Sequence, residues 1–228
     1  MNKRLQAIES MVRPGIGLID VGTDHGYLPV SLALHGYPGD LFASDIGSGP
    51  LAAARRSAAA AGVEDRIGFQ LCDGLSLCDP GSVDTIVIAG MGGDTICGIL
   101  DRAEWCMDPR YRLLLQPMTR AEVLRYWLVN NGFSIEQECL VADGGELYAL
   151  FCARFGSGMK LRDAELFTGA FSQIEIDPLW PQFLDLQINR FQKLLQGLRS
   201  CGRETGRLQL MEAVWQELKE RKDHAHRT

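Results

Sequence analysis

Between Ile16 and Arg154 the chain alternates short apolar runs with segments of helical periodicity, and nearly every apolar run stops at an acid or a glycine. The spacing predicts buried strands at 17–21, 41–44, 67–72, 83–89 and 112–116. It predicts helices at 27–34, 50–61 and 94–102, two of them with proline in the first turn and glycine just past the end (Pro29 with Gly36, Pro50 with Gly62). A further helix begins at Thr119, where Thr-Arg-Ala-Glu reads as a capping box with Glu122, and ends at Gly132. Strands that alternate with helices pair in parallel and are covered on both faces. The run ends differently: 133–141 and 146–153 are strands joined by Ala142-Asp143-Gly144-Gly145, a hairpin signal. The expected fold is therefore α/β, a Rossmann-like methyltransferase sheet that is parallel with a terminal antiparallel hairpin.

After Phe155-Gly156-Ser157-Gly158 the pattern changes. Leu184, Ile188, Phe191, Leu195 and Leu198 recur at helical spacing, as do Leu208, Met211, Trp215 and Leu218, with 201–206 between them. Two helices folded on each other in coiled-coil fashion fit this, so the division expected is 1–156 for the sheet domain and 157–228 for a helical appendage. Charge follows the same division. Residues 1–155 hold 12 basic and 19 acidic side chains, and residues 156–228 hold 11 and 10, within a chain of net charge −6. An anionic polymer would find its attraction in the second part and in local arginine clusters. A solvated face of mixed charge is the blander reading of the same residues.

No apolar run reaches the roughly 18 residues of a membrane span, and the polar N-terminus reads as an amphipathic helix, not a signal peptide. The seven cysteines form no C-x-x-C pair, which suits a reduced, cytoplasmic protein. The tail His224-x-His226 lacks an acid or thiol at ligand spacing, so no metal is expected and the tail reads as disordered.

In open α/β sheets ligands bind beyond the carboxyl ends of the strands. The first such end reads Asp20-Val-Gly22-Thr23-Asp24-His25-Gly26. A dinucleotide loop needs G-x-G-x-x-G to admit a pyrophosphate; this loop has only Gly22 and Gly26. Asp20 and Asp24 would also face the phosphates, at a cost on the order of a few kcal/mol per contact. A cationic ligand without phosphates is favoured, and S-adenosylmethionine, with its sulfonium and ammonium, is one. Taken alone, Asp20 as a turn residue and Asp24 as a helix cap would account for the loop equally well. Three more strand ends shift the balance. Asp45 suits ribose hydroxyls, Asp73-Gly74 an adenine amine, and Ala89-Gly90-Met91-Gly92-Gly93 supplies open backbone where acceptor and donor could meet.

The stretches KRLQAIESMV, IDVGTDHGYLPVSLA, ASDIGSGPLAAA, LCDGLS, DTIVIAGMGGDTI, LLLQPM and NNGFSIEQECLV resemble those of the bacterial tRNA (adenine-N1)-methyltransferases that modify position 22. TDHGYLP and IAGMGG carry the most specific likeness. Gly47 departs from it, standing where the family has a polar residue. The resemblance implies S-adenosyl-L-methionine as donor and tRNA as acceptor. It places Asp20, Gly22, Thr23, Gly26, Leu28, Asp45, Ile46, Asp73, Gly74, Ala89, Gly90, Met91 and Gly92 around the donor. Asp24 is the candidate to stabilise charge developing on the base, and Tyr27 to pack beside donor or base. His25, Gly93 and Gln116 are candidates for substrate contact. Arg190, Lys193 and Arg199 are candidates for RNA phosphates, as are Lys3, Arg4, Arg13, Arg203 and Arg207. GMGG stands where amino-group methyltransferases carry N/D-P-P-Y/F, which favours attack by a ring nitrogen. A small-molecule methyltransferase and a non-catalytic S-adenosylmethionine-binding module that contacts RNA remain as alternatives, and the oligomeric state is not fixed.

Overall fold

β1 (Gly17–Val21) is buried along its whole length, Asp20 included, as an interior strand of a sheet covered on both faces must be. The reason is its position. In the computed structural model, which describes residues 1–156, 158–201 and 205–225, β1 lies inside a seven-stranded sheet. The other elements of this unit, residues 1–159, are α1 (Lys3–Met11), α2 (Tyr27–Leu34), β2 (Asp40–Asp45), α3 (Ser48–Ala60), β3 (Ile67–Leu71), β4 (Thr85–Gly92), α4 (Gly93–Asp101), β5 (Arg112–Thr119), α5 (Ala121–Asn130), β6 (Phe133–Asp143) and β7 (Glu146–Phe155). The strand order is β3-β2-β1-β4-β5-β7-β6. The first five strands run parallel, and β7 and β6 form the antiparallel end. The chain builds outward from β1 to β3, then returns to β1's other side with β4. That reversal opens a crevice at the carboxyl end of β1.

The ends of β4 and β5 differ from the sequence reading for one shared reason. β4 continues past its apolar run to Gly92, through register shifts at Met91, and pairs Gly92 with Thr119. This draws β5 out to Thr119, so Thr119 is a strand residue and the expected capping box does not form. Arg120 takes the cap position instead, at φ 56° and with no side-chain cap bond. Its carbonyl lies where a Gly93 Cβ would come within 2.2 Å, and its guanidinium meets Asp94 at 2.9 Å. The hairpin turns through Gly144 and Gly145, both at positive φ (60° and 85°), the requirement of a two-residue type I′ turn.

α1 packs against the sheet through buried Ile8 and Met11, and the Met11 carbonyl accepts a bond from the buried Arg112 guanidinium at 2.6 Å. Arg125 of α5 and Glu138 of β6 form an ion pair with both side chains wholly buried, the guanidinium lying 4.8 Å from the Phe151 ring centre.

The second unit, residues 160–228, contains α6 (Asp163–Thr168), α7 (Phe171–Ile174), α8 (Trp180–Cys201) and α9 (Thr205–Ala225). The ion pairs Asp185–Lys222 and Arg199–Glu212 show that α8 and α9 run antiparallel. Leu184, Phe191 and Leu195 are buried on α8, and Met211, Val214 and Leu218 on α9. Ile188, Leu198, Leu208 and Trp215 are half-buried at the edges. Phe171 sits near two guanidinium groups, Arg162 at 4.9 Å and Arg221 at 4.0 Å. α9 extends to Ala225, so His224 belongs to a helix and not to an irregular tail. Ser157, Arg203 and His226 lie outside the described residues.

Candidate active site

The loop after β1 is folded back by its own backbone. Both Gly22 and Thr23 donate their N–H groups to the Ser44 carbonyl of β2, at 2.8 and 3.0 Å. Gly22, Asp24 and Gly26 all take positive φ (70°, 53° and 69°), a conformation free for glycine and strained for aspartate. Neighbours stand close to both glycines as well. A Cβ on Gly22 would lie 2.1 Å from Cε of Met91, and one on Gly26 would lie 2.9 Å from Cβ of Ala54 on α3. Asp45 holds the loop from the next strand end: its Oδ2 accepts the Asp24 N–H at 3.2 Å and its Oδ1 accepts the Gly47 N–H at 2.8 Å. Gly47 has its own constraint, since a Cβ there would meet Pro50 at 2.9 Å.

A cavity of about 310 Å³ opens beside this loop, lined by Asp20, Gly22, Thr23, Asp24, His25 and Tyr27, by Ala89 and Gly90 of β4, by Gln116 and Met118 of β5, and by Asn2, Arg4 and Leu5 at the start of the chain. Asp20 is the chemically unusual member. It is 5% exposed, and Thr23 Oγ1 donates to its Oδ2 at 2.7 Å. Burial pushes its carboxyl up to about 6, the Thr23 hydroxyl pulls it back, and the neighbouring Asp45 charge adds to the rise. A buried carboxylate without a cation is costly, so a cationic ligand in this cavity relieves an existing penalty. Asp24 is different: its side chain is 70% exposed and its Oδ2 lies 3.8 Å from His25 Nε2. The His25 ring stacks on Tyr27, with centroids 5.3 Å apart and planes 15° from parallel. Together they give the cavity rim two flat, accessible rings beside a carboxylate.

The remaining predicted positions are not among the residues that line the cavity. Leu28 and Gly26 are buried beneath the loop, and Ile46 is 74% exposed. Asp73 pairs with Arg102 at 3.0 Å, and both side chains are open to solvent. Gly74, at φ 59°, faces Ile99 of α4, and its carbonyl accepts from Ser44 Oγ at 3.3 Å. Met91 closes over Gly22, Gly92 pairs with Thr119, and Gly93 packs on Arg120. In the second unit Arg190 and Lys193 are exposed on α8, while Arg199 is engaged by Glu212. Asn2, Leu5 and Met118 escaped the sequence reading. Arg4, read as a surface phosphate contact, lies instead in the cavity wall. Its Nε donates to Asp143 at 2.8 Å, and its Nη1 reaches Gln116 Oε1 at 3.3 Å and Met118 Sδ at 2.6 Å.

The architecture has solved counterparts. A family described as a methyltransferase domain matches residues 1–151. The tRNA (adenine(22)-N(1))-methyltransferase of Bacillus subtilis is 32% identical over 156 residues, which span 68% of this chain and 66% of that protein. The crystal structure of Sp1610 from Streptococcus pneumoniae, assigned as a tRNA (m1A22) methyltransferase and bound to S-adenosyl-L-methionine, superimposes with a TM-score of 0.82 at 30% identity, covering 96% of this chain and 98% of that one. The B. subtilis m1A22 tRNA methyltransferase TrmK superimposes with a TM-score of 0.78 at 27% identity, covering 98% and 96%.

Proposed function

The chain belongs to the tRNA (adenine(22)-N1)-methyltransferase family, and from this we propose which of its residues carry a methyl transfer from S-adenosylmethionine to N1 of adenine 22 in tRNA. The observation that supports the assignment best is Asp20: a buried carboxylate beside a glycine turn, at the point where the sheet reverses, inside a cavity with room for a ligand.

When bound, S-adenosylmethionine supplies a methyl group on a positively charged sulfur. The residues present fit it. Asp20 offers a buried carboxylate, and Gly22 lines the cavity beside it at a positive φ. Asp45 already fixes the loop with both carboxylate oxygens and stands at the end of the second strand, the position suited to a ribose. Exposed Ile46 gives an apolar surface next to it.

Adenine N1 has a free lone pair at neutral pH and needs no base to become a nucleophile. The protein's tasks are to hold the base in line with the methyl group and to tolerate positive charge moving onto the ring. Unstacking the adenine costs a few kcal/mol, and the stacked His25 and Tyr27 rings offer a replacement surface. Asp24 stands on the same loop with an open carboxylate and stabilises the charge that develops on the base. The free thiols at Cys72, Cys78, Cys97, Cys106 and Cys152 fit the reducing cytoplasm, where the substrate is found.

The decisive experiment is incubation with labelled S-adenosylmethionine and unmodified tRNA, followed by mass-spectrometric mapping of the methylated nucleoside. 1-Methyladenosine at position 22 is the expected product. Label on N6, or label only on small molecules, would overturn the assignment.

A further inference from the structure

Arg4 gives the cavity a charge of the opposite sign. Among the described residues that line it, Arg4 is the permanently charged cation, and its side chain is 20% exposed. Its Nε is taken by Asp143 and its Nη1 by Gln116 and Met118. No described protein atom accepts from Nη2. The guanidinium also lies 4.9 Å from the Tyr148 ring centre, and these contacts hold its plane in one orientation. A fixed guanidinium with a spare donor on a cavity wall is suited to a planar or tetrahedral oxyanion.

The same contacts change the reading of Gln116. Its Oε1 accepts from Gly90 N–H at 3.2 Å and from Arg4, and its Nε2 donates to the Pro117 carbonyl at 2.8 Å. The amide is committed at both ends, and the side chain is 1% exposed. Gln116 therefore ties Arg4 to the backbone at the end of β4, and it is Arg4 that presents a free donor.

We propose that Arg4 is an oxyanion anchor within the cavity, holding either the amino-acid carboxylate of the methyl donor or a phosphate beside the target nucleotide. The proposal rests on the methyltransferase assignment and adds the division of charge within its site. The cationic sulfur and ammonium are drawn to Asp20 and repelled by Arg4. An oxyanion is repelled by Asp20 and Asp24 and drawn to Arg4. A ligand carrying both signs can lie in only one direction.

The test uses the whole 228-residue chain and three variants: Arg4→Met, Arg4→Lys, and Asp143→Asn, which removes the partner's charge but keeps the guanidinium. Calorimetry measures affinity for S-adenosylmethionine and for its decarboxylated analogue. Steady-state kinetics give KM for tRNA across a salt series, and thermal unfolding reports the fold. If the anion is the donor carboxylate, Arg4→Met weakens S-adenosylmethionine at least tenfold and leaves the decarboxylated analogue unchanged. If it is a phosphate, donor affinity holds while KM for tRNA rises at least tenfold with a shallower salt dependence. Asp143→Asn retains both activities within a few fold in either case. If Arg4→Met does not fold, Arg4→Lys carries the same readouts, because lysine keeps the charge and loses the fork. Unchanged affinity and KM, with only the unfolding temperature lowered in the Arg4 variants, would overturn the proposal and leave Arg4 as a structural clamp. Failure of the methyltransferase assignment is visible separately, as absence of donor binding and of tRNA methylation in the unsubstituted chain.

Discussion

Asp20, near the end of β1, and Asp24, on the loop that follows, stand four positions apart, yet burial gives them opposite duties. Moving a buried carboxyl from its ordinary 3.8 to about 6 corresponds to roughly 3 kcal/mol of penalty on the ionised form at neutral pH. Because the folded value lies above the unfolded one, Asp20's contribution to stability is complete below about 3.8 and is lost as pH rises through about 6. A bound cation reverses that loss, so donor binding expels a proton from Asp20 at mildly acidic pH. Affinity for S-adenosylmethionine is expected to fall by up to about tenfold per pH unit below 6, and Asp20→Asn should bind weakly with that slope removed. Calorimetry between pH 5 and 7.5 decides it; a pH-independent affinity in the unsubstituted chain would mean that Asp20 does not meet the cation. Asp24 differs in being open to solvent. Asp24→Ala should lower kcat for tRNA methylation at least tenfold while donor affinity stays within about twofold, since only the charge forming on the base is left unbalanced. An unchanged kcat would remove Asp24 from the chemistry.

The strands and their acid or glycine ends were legible because each is a local pattern: a buried strand is a short apolar run, and the residue after it sits on a loop by necessity. Two features were hidden. Thr119 has the composition of a helix cap, but its conformation is set by Gly92 across the ladder, 27 positions earlier in the chain. Arg4 looks like any surface arginine until the fold brings Gln116 and Asp143 to it, 112 and 139 positions away. Long-range partners leave no periodic trace in sequence. The pair between α5 and β6 belongs to the same class, and it sets the stability of the antiparallel end of the sheet. Arg125 and Glu138 are both wholly buried, and burial raises the Glu138 carboxyl while the Arg125 guanidinium lowers it. Replacing Arg125 by Met strands the carboxylate, at a cost of about 3–5 kcal/mol. In a domain of this size that is a fall of roughly 10 °C in Tm. The double variant Arg125→Met with Glu138→Met should recover most of the loss, because no charge is then left buried. Thermal unfolding of the single and double variants tests this, and equal losses in both would assign the cost to packing instead.

An acidic chain acting on an anionic polymer has to separate its charges, and the two units do so. Residues 1–155 carry the whole of the negative excess, part of it beside the loop that receives a cation, while residues 156–228 are close to neutral with a slight positive balance. Neutrality on average is compatible with local attraction, because screening at about 0.1 M salt limits each charge to roughly 10 Å. What an approaching phosphate meets is the nearest side chains. On α8, Arg199 is occupied by Glu212, but Arg190 and Lys193 are exposed and form no ion pair among the described residues. They lie three positions apart, on one side of the helix, and are the better candidates for RNA phosphates. Reversing both charges, Arg190→Glu with Lys193→Glu, should raise KM for tRNA at least tenfold at moderate salt. The slope of log affinity against log salt should fall by about 0.7–0.9 for each phosphate that no longer meets a cation. Affinity for S-adenosylmethionine should not change, since neither residue lines the donor cavity. The pattern is the inverse of that expected for Asp24→Ala, which spares binding and impairs the chemical step. If the double reversal left KM and its salt dependence intact, the helical unit would have to serve some purpose other than gripping the tRNA backbone through this face of α8.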